Sequence, residues 1–245
     1  MKYNKNLIND IIGWDTVIWG QSLNFFDENV DFKNVKNALE LGSGSYGGYA
    51  LYFALKNIDT ICSNPFGDFE SAKKVHSKYD FSTKIKYEKI DALDIPYENK
   101  FDCISFKSVM GVLGNREERF KNVNAQKKMI TNISKSLKKG GYLIFAENLK
   151  GSKFHQYIMN KYGWGKNYSG WRYFSITDYF DIVGGDFKLL NYRTTGVLGN
   201  LVSKKGIPFK EILKRILGTL DIFLLNKLLK EDSRYVIFSV FKKIK

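Results

Sequence analysis

The chain has 245 residues, which is enough for one domain with a full hydrophobic core. Hydrophobic residues make up 44% and charged residues 26%, a balance typical of soluble globular proteins. The formal net charge is +14. The basic residues are spread along the chain without the aromatic and basic motif of an RNA-binding sheet. The even spread of the basic residues therefore gives no sign of a nucleic-acid site, and the charge is compatible with an anionic small substrate.

Cysteine usage and hydropathy point to the inside of a cell. Cys62 and Cys103 both lie in apolar runs, which indicates core residues of a reduced protein and not a disulfide framework. The N-terminal stretch lacks the apolar region of a signal peptide. No stretch reaches the roughly 18 apolar residues of a membrane-spanning helix. We therefore expect a cytoplasmic protein.

Short apolar runs alternate with helix-compatible segments from about residue 35 onwards. The first 34 residues look helical, and we expect them to cap the domain. The alternation predicts βαβ units, a parallel sheet and right-handed crossovers that place helices on both faces. The predicted strands are 35–41, 58–63, 84–90, 101–106 and 141–147, and the predicted helices between them are 48–57, 67–79 and 120–138.

The last third of the chain has a different pattern. Residues 186–193 and 233–243 are predicted to form two strands, which could pair in antiparallel fashion at a sheet edge. The segment 207–230 between them is predicted to be a long apolar helix with several lysines and an arginine. This composition is compatible with packing on the sheet, with a contact to a second subunit, or with a membrane surface.

A glycine cluster follows the first predicted strand. Residues 42–47 read Gly-Ser-Gly-Ser-Tyr-Gly, and the helix-compatible segment 48–57 comes next. Glycine permits a tight turn and lets a ligand approach the backbone, while a helix N-terminus offers free N–H groups and partial positive charge. The pattern predicts a ligand loop that suits NAD, FAD or S-adenosylmethionine (SAM), without choosing among them.

Three residues at predicted strand ends favour SAM over NAD. Glu40 precedes Gly42 closely, and a carboxylate there can bind the cationic amino group of a methionine moiety but would repel a pyrophosphate. A dinucleotide site needs an acidic residue about 20 positions further on, where this chain has Asn64. Asp91, just after the third predicted strand, can accept a hydrogen bond from an adenine amino group.

Four segments in a fixed order carry a resemblance to a known family. They are LELGSG at 39–44, KIDALDIPY at 89–97, FDCISFKSVMG at 101–111 and LKKGGYLIFAENL at 137–149. With these segments the chain resembles the class I SAM-dependent methyltransferases. The resemblance implies an α/β fold, with a Rossmann-like sheet of seven strands, the last one antiparallel, and helices on both faces. It also implies SAM as the cofactor and S-adenosylhomocysteine as its product.

The resemblance assigns the cofactor site and divides the chain. Tyr46 stands where a third glycine is usual, and Asn64 or Ser63 stands where an acid for the ribose is usual. The predicted cofactor-binding residues are Glu40, Gly42, Ser43, Gly44, Ser63, Asn64, Asp91, Ala92 and Lys107. The predicted parts of a single domain are a helical cap at 1–34, a SAM-binding core at 35–148, an acceptor-side insertion at 149–185, and the late strands with their helix at 186–245.

The acceptor is expected to be a small molecule or a carbohydrate-linked group. Residues 106–115 lack the Asn/Asp-Pro-Pro-aromatic motif of nucleic-acid amino methyltransferases, and no Pro-Cys nucleophile is present. A looser likeness, in 13–26, 106–115, 145–156 and 170–174, is to bacterial methyltransferases associated with capsule or O-antigen synthesis. That likeness implies sugar hydroxyls, or phosphoryl or phosphoramidate groups on nucleotide-linked capsule precursors, as acceptors.

The predicted catalytic residues are His155 and Glu147. His155 follows the fifth strand, where acceptor-side loops lie in this fold, and an imidazole titrates near neutral pH. Glu147 ends that strand and is expected to orient His155 or hold a sugar hydroxyl. Lys107 ends the fourth strand and is expected to face the cofactor or an acceptor anion. His76 is predicted to lie on an exposed helix face without a role, and no metal-binding pattern is found.

The predicted acceptor-binding residues are mostly aromatic. The segment 160–175 is rich in aromatic residues and glycine, which suits stacking against sugar rings or a lid packed on the core. An arginine can pair with a phosphate or carboxylate through two hydrogen bonds. The predicted acceptor-binding residues are Trp14, Trp19, Trp164, Trp171, Arg172 and Arg193. A non-catalytic SAM-binding or membrane-associated scaffold is the alternative function, and an NAD-dependent oxidoreductase is disfavoured.

Overall fold

A single mixed sheet organises the protein. The computed structural model describes residues 3–44, 46–114, 121–162, 171–198 and 210–245. Its strands lie in the order β3-β2-β1-β4-β5-β7-β6. Pairs from β3 to β5 are parallel, whereas β7 runs antiparallel to both β5 and β6. The strands are β1 (Asn37–Leu41), β2 (Asp59–Asn64), β3 (Ile85–Lys89), β4 (Phe101–Lys107), β5 (Leu137–Asn148), β6 (Phe187–Thr195) and β7 (Val236–Lys243). The predicted seven-stranded sheet with an antiparallel last strand is confirmed.

Helices connect the strands as the alternation predicts. A π-helical turn, Asp221–Leu225, joins the last two helices. The helices are α1 (Lys5–Ile12), α2 (Thr16–Trp19), α3 (Gln21–Asn29), α4 (Gly48–Ala54), α5 (Glu70–His76), α6 (Asn124–Ser136), α7 (Lys153–Tyr162), α8 (Ile176–Val183), α9 (Lys210–Leu220) and α10 (Asn226–Leu228). The first residue of the predicted helix 120–138 and the first three residues of the predicted helix 207–230 lie outside the described residues.

Two hydrophobic clusters cover the two faces of the sheet. The first cluster packs α1 to α5 against one face, and the second packs α6 and α8 against the other. Strand β5 shows the alternation: Ile144 and Ala146 belong to the first cluster, whereas Leu143 and Phe145 belong to the second. Because side chains alternate along a strand, Glu147 points to the second face.

Strand β5 is longer than the sequence pattern predicts. The prediction began at residue 141, but the strand runs Leu137–Asn148. Gly140, which resembles a turn residue in the sequence, has φ +79 within the strand. The register against β4 shifts between Phe101 and Cys103. The positive φ of Gly140 thus makes an irregularity in a continuing strand, not its start.

Candidate functional site

The carboxyl ends of β1 and β4 are the switch point of the sheet, a region that we call the crevice. From β1 the chain moves outward to β2 and β3 and then returns to β4 on the other side of β1. Ligands of open α/β sheets bind at such a switch point. Gly42 has φ +71, and an added Cβ would meet Val109 at 2.6 Å, whereas a Cβ on Gly44 would have no atom within 4 Å. The loop therefore turns on Gly42 and leaves open space beside Gly44.

Glu40 joins strand β1 to the start of α4. Its carboxylate is buried and accepts hydrogen bonds from the backbone N of Tyr49 at 2.6 Å and of Ala50 at 3.0 Å. The hydroxyl of Ser43 donates to the same carboxylate. Gly48 has φ +62, and a Cβ there would lie 2.3 Å from Glu40 Oε1. A negative charge at a helix N-terminus is stabilising, so Glu40 shapes the loop as well as bordering it.

Ser63 and Asn64 use their polar atoms inside the protein. The hydroxyl of Ser63 donates to the carbonyl of Glu40 at 2.6 Å. The side-chain oxygen of Asn64 accepts from the backbone N of Phe66 and Gly67, and its amide donates to the carbonyl of Asp68. Both residues were predicted to bind the cofactor, but their hydrogen bonds build the turn after β2, and neither offers a carboxylate for a ribose.

The turn after β3 presents an acid to solvent. Asp91 is exposed and accepts a hydrogen bond from the backbone N of Leu93 through Oδ1. Ala92 beside it is buried in the second cluster. The turn after β2 presents Phe66, whose side chain is 86% exposed and which the sequence analysis did not single out. Its only sequence signal is an aromatic residue directly after a Pro in a turn.

Lys107 lies beneath a segment that we call the N-terminal cover, residues 12–15, which runs from the last residue of α1 to the start of α2. Lys107 Nζ donates to the carbonyl of Ile12 at 2.6 Å and lies 3.8 Å from the centroid of the Trp14 ring. Burial lowers the pKa of Lys107 to about 7, an effect that the charge of Glu40 partly offsets. The lysine is thus poised to gain or lose its proton near neutral pH.

Tyr46 closes the cover against the glycine loop. Its ring lies 5.8 Å from that of Trp14, and a Cβ on Gly13 would lie 2.3 Å from the Tyr46 ring. The sequence analysis treated Tyr46 only as a replacement for glycine. The signal that could have marked it is an aromatic residue within a glycine loop, opposite a Gly-Trp pair near the N-terminus.

Glu147 is buried at the end of β5 and holds the loop after β4. Its Oε1 accepts from the backbone N of Val109 at 2.5 Å and of Met110 at 2.9 Å. The hydroxyl of Tyr179 lies 3.5 Å from Oε2. Burial raises the pKa of Glu147 to about 7, although these hydrogen bonds act in the opposite direction. The carboxyl group can therefore hold a proton at neutral pH.

His155 is buried in α7 without hydrogen bonds from its ring. The imidazole stacks on Tyr235, with the centroids 5.2 Å apart and the planes 4° apart. Neither ring nitrogen has a hydrogen-bond partner in the part of the chain that the structure describes. Burial lowers the pKa of His155, and the backbone of Lys150 partly offsets that effect. His155 is therefore neutral at pH 7, the form that can accept a proton.

The expectation that Glu147 orients His155 is wrong. Glu147 contacts Tyr179 of the second cluster, whereas His155 stacks on Tyr235 of the first. The two side chains lie on opposite faces of the sheet, because Glu147 is in an alternating strand and His155 is in the helix that follows it. They cannot act as a hydrogen-bonded pair in this conformation.

The predicted acceptor-binding residues divide into those near the crevice and those away from it. Trp14 is 37% exposed in the N-terminal cover. Trp171 and Arg172 contact the loop after β4: a Cβ on Gly111 would lie 2.3 Å from Trp171 Nε1, and Arg172 N donates to the carbonyl of Gly111. Trp164 lies outside the described residues.

Two of the predicted acceptor-binding residues have structural roles instead. Trp19 is 2% exposed and packs edge-on against Trp14, so it anchors the core. Arg193 makes a 3.0 Å ion pair with Glu28 and lies over the Phe25 ring, which fixes β6 to α3. Its position in a strand gave no indication of which face its side chain would take.

His76 is not exposed, contrary to prediction. It is fully buried, with Nε2 2.7 Å from the carbonyl of Gly47 and Nδ1 2.8 Å from the hydroxyl of Tyr87. Burial lowers the pKa of His76. The ring connects α5 and β3 to the glycine loop, a supporting role that the lysine-rich sequence around it concealed.

The described residues form neither a metal-binding cluster nor a membrane-spanning helix. Across residues 3–44, 46–114, 121–162, 171–198 and 210–245, no three His, Cys, Asp or Glu side chains cluster as metal ligands. None of the helices in those same ranges is long and apolar enough to cross a membrane.

Two features of the crevice suit SAM, and one departs from the expected pattern. The open space beside Gly44 admits the backbone approach of a ligand, and exposed Asp91 can hold an adenine amino group. Glu40 lies at the end of β1 with its charge already shared among Tyr49, Ala50 and Ser43. The ribose side departs from the expected pattern, because no acid stands at the end of β2.

Comparison with known proteins supports the fold. No family model and no curated protein matches the chain. A protein of Bacillus halodurans C-125 assigned as a methyltransferase matches at TM-score 0.63 and 15% identity, over 92% of this chain and 100% of its own. Geranyl diphosphate C-methyltransferase from Streptomyces coelicolor A3(2), solved with S-adenosyl-L-homocysteine, matches at TM-score 0.60 and 8% identity, over 92% and 79%.

A third structure with this fold is named as a cyclase and not as a methyltransferase. The [4+2]-cyclase SpnF matches at TM-score 0.60 and 15% identity, over 91% of this chain and 80% of its own. At such identities the likeness concerns the fold alone. The chain has the Rossmann-like fold of the class I SAM-dependent methyltransferases, and its chemistry has to be argued from the site.

Proposed function

We propose that this protein is a methyltransferase that binds SAM in the crevice between β1 and β4 and releases S-adenosylhomocysteine. The observation that carries the proposal is the glycine turn with open space beside Gly44, bordered by Glu40 and exposed Asp91. When bound, SAM supplies a methyl group that already carries its leaving group. The chain therefore has to align an acceptor and, for a hydroxyl, take up its proton.

We propose that the acceptor atom is an oxygen of a small or carbohydrate-linked molecule used for bacterial surface glycans. Two features support this acceptor. His155 is buried and its pKa is lowered by burial, so the imidazole is neutral and can accept a proton; the backbone of Lys150 lies near the ring, but neither ring nitrogen has a partner with good hydrogen-bond geometry among the described residues. Trp171 borders the loop after β4 and offers an aromatic surface next to the crevice. The protein is then expected to act in the cytoplasm, on a nucleotide-linked precursor.

Gly44 provides a direct test of cofactor binding. Gly44→Ala adds a methyl group where the free protein has empty space, so the fold should keep its stability. The same methyl group would block close approach of SAM, and we expect calorimetry to show at least about tenfold weaker binding. Gly185→Ala, whose added Cβ has only Lys245 at 4.0 Å, is the matched control.

Asp91 provides the second arm of that test. Asp91→Ala should weaken SAM binding by about tenfold through the lost hydrogen bond, and Asp94→Ala in the same turn should not. Binding of NAD in place of SAM, or SAM binding that all four variants leave unchanged, would contradict the proposed site.

His155 separates the two kinds of oxygen acceptor. For a neutral hydroxyl, His155→Ala should lower kcat by roughly 10²–10⁴, because proton removal is lost. A phosphoryl or phosphoramidate oxygen is already anionic, so His155→Ala should then cost little and Arg172→Ala should cost much. An acceptor screen with nucleotide-linked sugars, followed by both variants, distinguishes these outcomes.

A non-catalytic SAM-binding scaffold is the second candidate function. The specific observation in its favour is the burial of His155 beneath Tyr235 and beside Gly151, which leaves little room for an acceptor in this conformation. It predicts SAM binding that Gly44→Ala abolishes, without S-adenosylhomocysteine formation for any acceptor in the screen.

A further inference from the structure

The helical segment after β6 packs on the domain through one side only. Gly218 lies against α2, where a Cβ would be 2.9 Å from Val17. Asp221 is fully buried and accepts hydrogen bonds from the backbone N of Val197 at 2.9 Å and of Leu198. Ile222 packs against the first hydrophobic cluster. These contacts fix the orientation of the segment, so its opposite side is turned outward.

The outward side is a continuous apolar stripe. Large aliphatic residues occupy every fourth position, and Phe223 beside them is 69% exposed. In a regular α-helix, residues four positions apart drift around the helix axis, because one turn takes 3.6 residues. The wider π-helical turn at Asp221–Leu225 turns the later residues back toward the same side. The stripe comprises Ile212, Ile216, Leu220, Leu224 and Leu228, each between 43% and 69% exposed.

The exposed charges from 212 to 230 are basic, and exposed Glu231 and Asp232 follow directly after them. Arg215, Lys227 and Lys230 are exposed. Among the side chains described from 212 to 230, the only acidic one is Asp221, which is turned inward. A symmetric contact with a second copy would bring these like charges together. Anionic phospholipid headgroups would instead complement them while the acyl boundary covers the stripe.

We propose that the stripe and its flanking bases bind the protein to an anionic membrane surface, with the segment lying in the plane of the interface. The apolar residues enter the headgroup boundary, and Arg215, Lys227 and Lys230 meet lipid phosphates. The face is independent of the glycine crevice, so this inference stands whether or not the protein transfers a methyl group.

Vesicle binding by the full chain tests the proposal. We expect flotation with vesicles of phosphatidylcholine and phosphatidylglycerol, much weaker flotation with phosphatidylcholine alone, and a decrease at high salt. The double variant Phe223→Ser, Leu228→Ser should lower the bound fraction about tenfold or more. Leu190→Ser, which removes a 41% exposed leucine from edge strand β6, is the matched control.

Charge reversal tests the electrostatic part separately. Lys227→Glu combined with Lys230→Glu should lower binding to the phosphatidylglycerol vesicles about tenfold and leave the melting temperature unchanged. Two results would overturn the proposal. One is no flotation with either vesicle. The other is a dimer in light scattering that Phe223→Ser disrupts, which would assign the stripe to a second copy of the chain.

Discussion

The two halves of the crevice differ in the pKa values of their buried polar groups. On the β1–β2 side, Glu40, Ser63 and Asn64 are all hydrogen-bonded to the backbone. On the β4–β5 side, Lys107 and Glu147 are buried with pKa values of about 7, although their ordinary values lie far apart. Both halves are held by hydrogen bonds to the backbone, since Lys107 and Glu147 also make them. Only the second half contains buried groups whose pKa values near 7 let their proton affinity respond to a ligand.

This contrast matches the two tasks that the proposed function assigns. A loop that always binds the same cofactor binds it more tightly when the loop is already ordered, because less conformational entropy is lost on binding. The acceptor side has to move a proton or hold a charge, and buried groups titrating near neutrality suit that task.

The largest expected effect is at Lys107. The folded pKa of about 7 lies below the ordinary 10.5, so the unfolded chain binds the extra proton between these values. The free energy of unfolding should therefore rise with pH across this window, by up to about 5 kcal/mol. Lys107→Met should remove that rise in urea unfolding curves, while exposed Lys86→Met should keep it. If the free energy of unfolding depended on pH in the same way for wild type and Lys107→Met, a buried ammonium group destabilised by its surroundings would be contradicted.

Glu147 should make the free energy of unfolding fall as the pH rises, the opposite of Lys107. Its folded pKa of about 7 exceeds the ordinary 4.5, so the folded protein binds the extra proton between these values. The contribution to stability is fully present below pH 4.5 and is lost as the pH rises to 7, a change of about 3 kcal/mol. Glu147→Gln keeps an acceptor for Val109 and Met110 and should remove this dependence, measured by urea unfolding.

Two further variants make the Glu147 result specific. Exposed Glu98→Gln should leave the pH dependence intact. Glu147→Ala leaves two buried backbone N–H groups without their acceptor and should destabilise the protein by about 1–3 kcal/mol for each group at every pH. Loss of stability in Glu147→Gln equal to that in Glu147→Ala would mean that the charge, not the acceptor, supports the loop.

The smallest expected effect is at Arg193, which lies away from both halves. Its ion pair with Glu28 is exposed, so Arg193→Ala should change the free energy of unfolding by at most about 1 kcal/mol. Methyl transfer should be unaffected, and Arg172→Ala beside the loop after β4 provides the comparison. A loss of activity in Arg193→Ala would restore the sequence-based assignment of this residue to the acceptor site.

The fold followed from the sequence because its signals are local and redundant. Each buried strand needs a short apolar run, and each crossover needs a helix-compatible segment, so the alternation predicted every strand within a few residues. Strand β5 is the exception, because Gly140 is typical of a strand boundary. Only the pairing of β5 with β4 and β7 shows that the strand continues. The glycine loop and its acid Glu40 were predicted for the same local reason.

What the sequence did not determine is which side chains meet across elements. Glu147 and His155 are close in the chain, yet alternation in β5 and the position of α7 put them on opposite faces. Lys107 contacts Trp14 and Ile12, although Ile12 is 95 residues away in the chain. Local pattern fixes the element and its buried side, but contacts between distant elements arise only when packing brings them together.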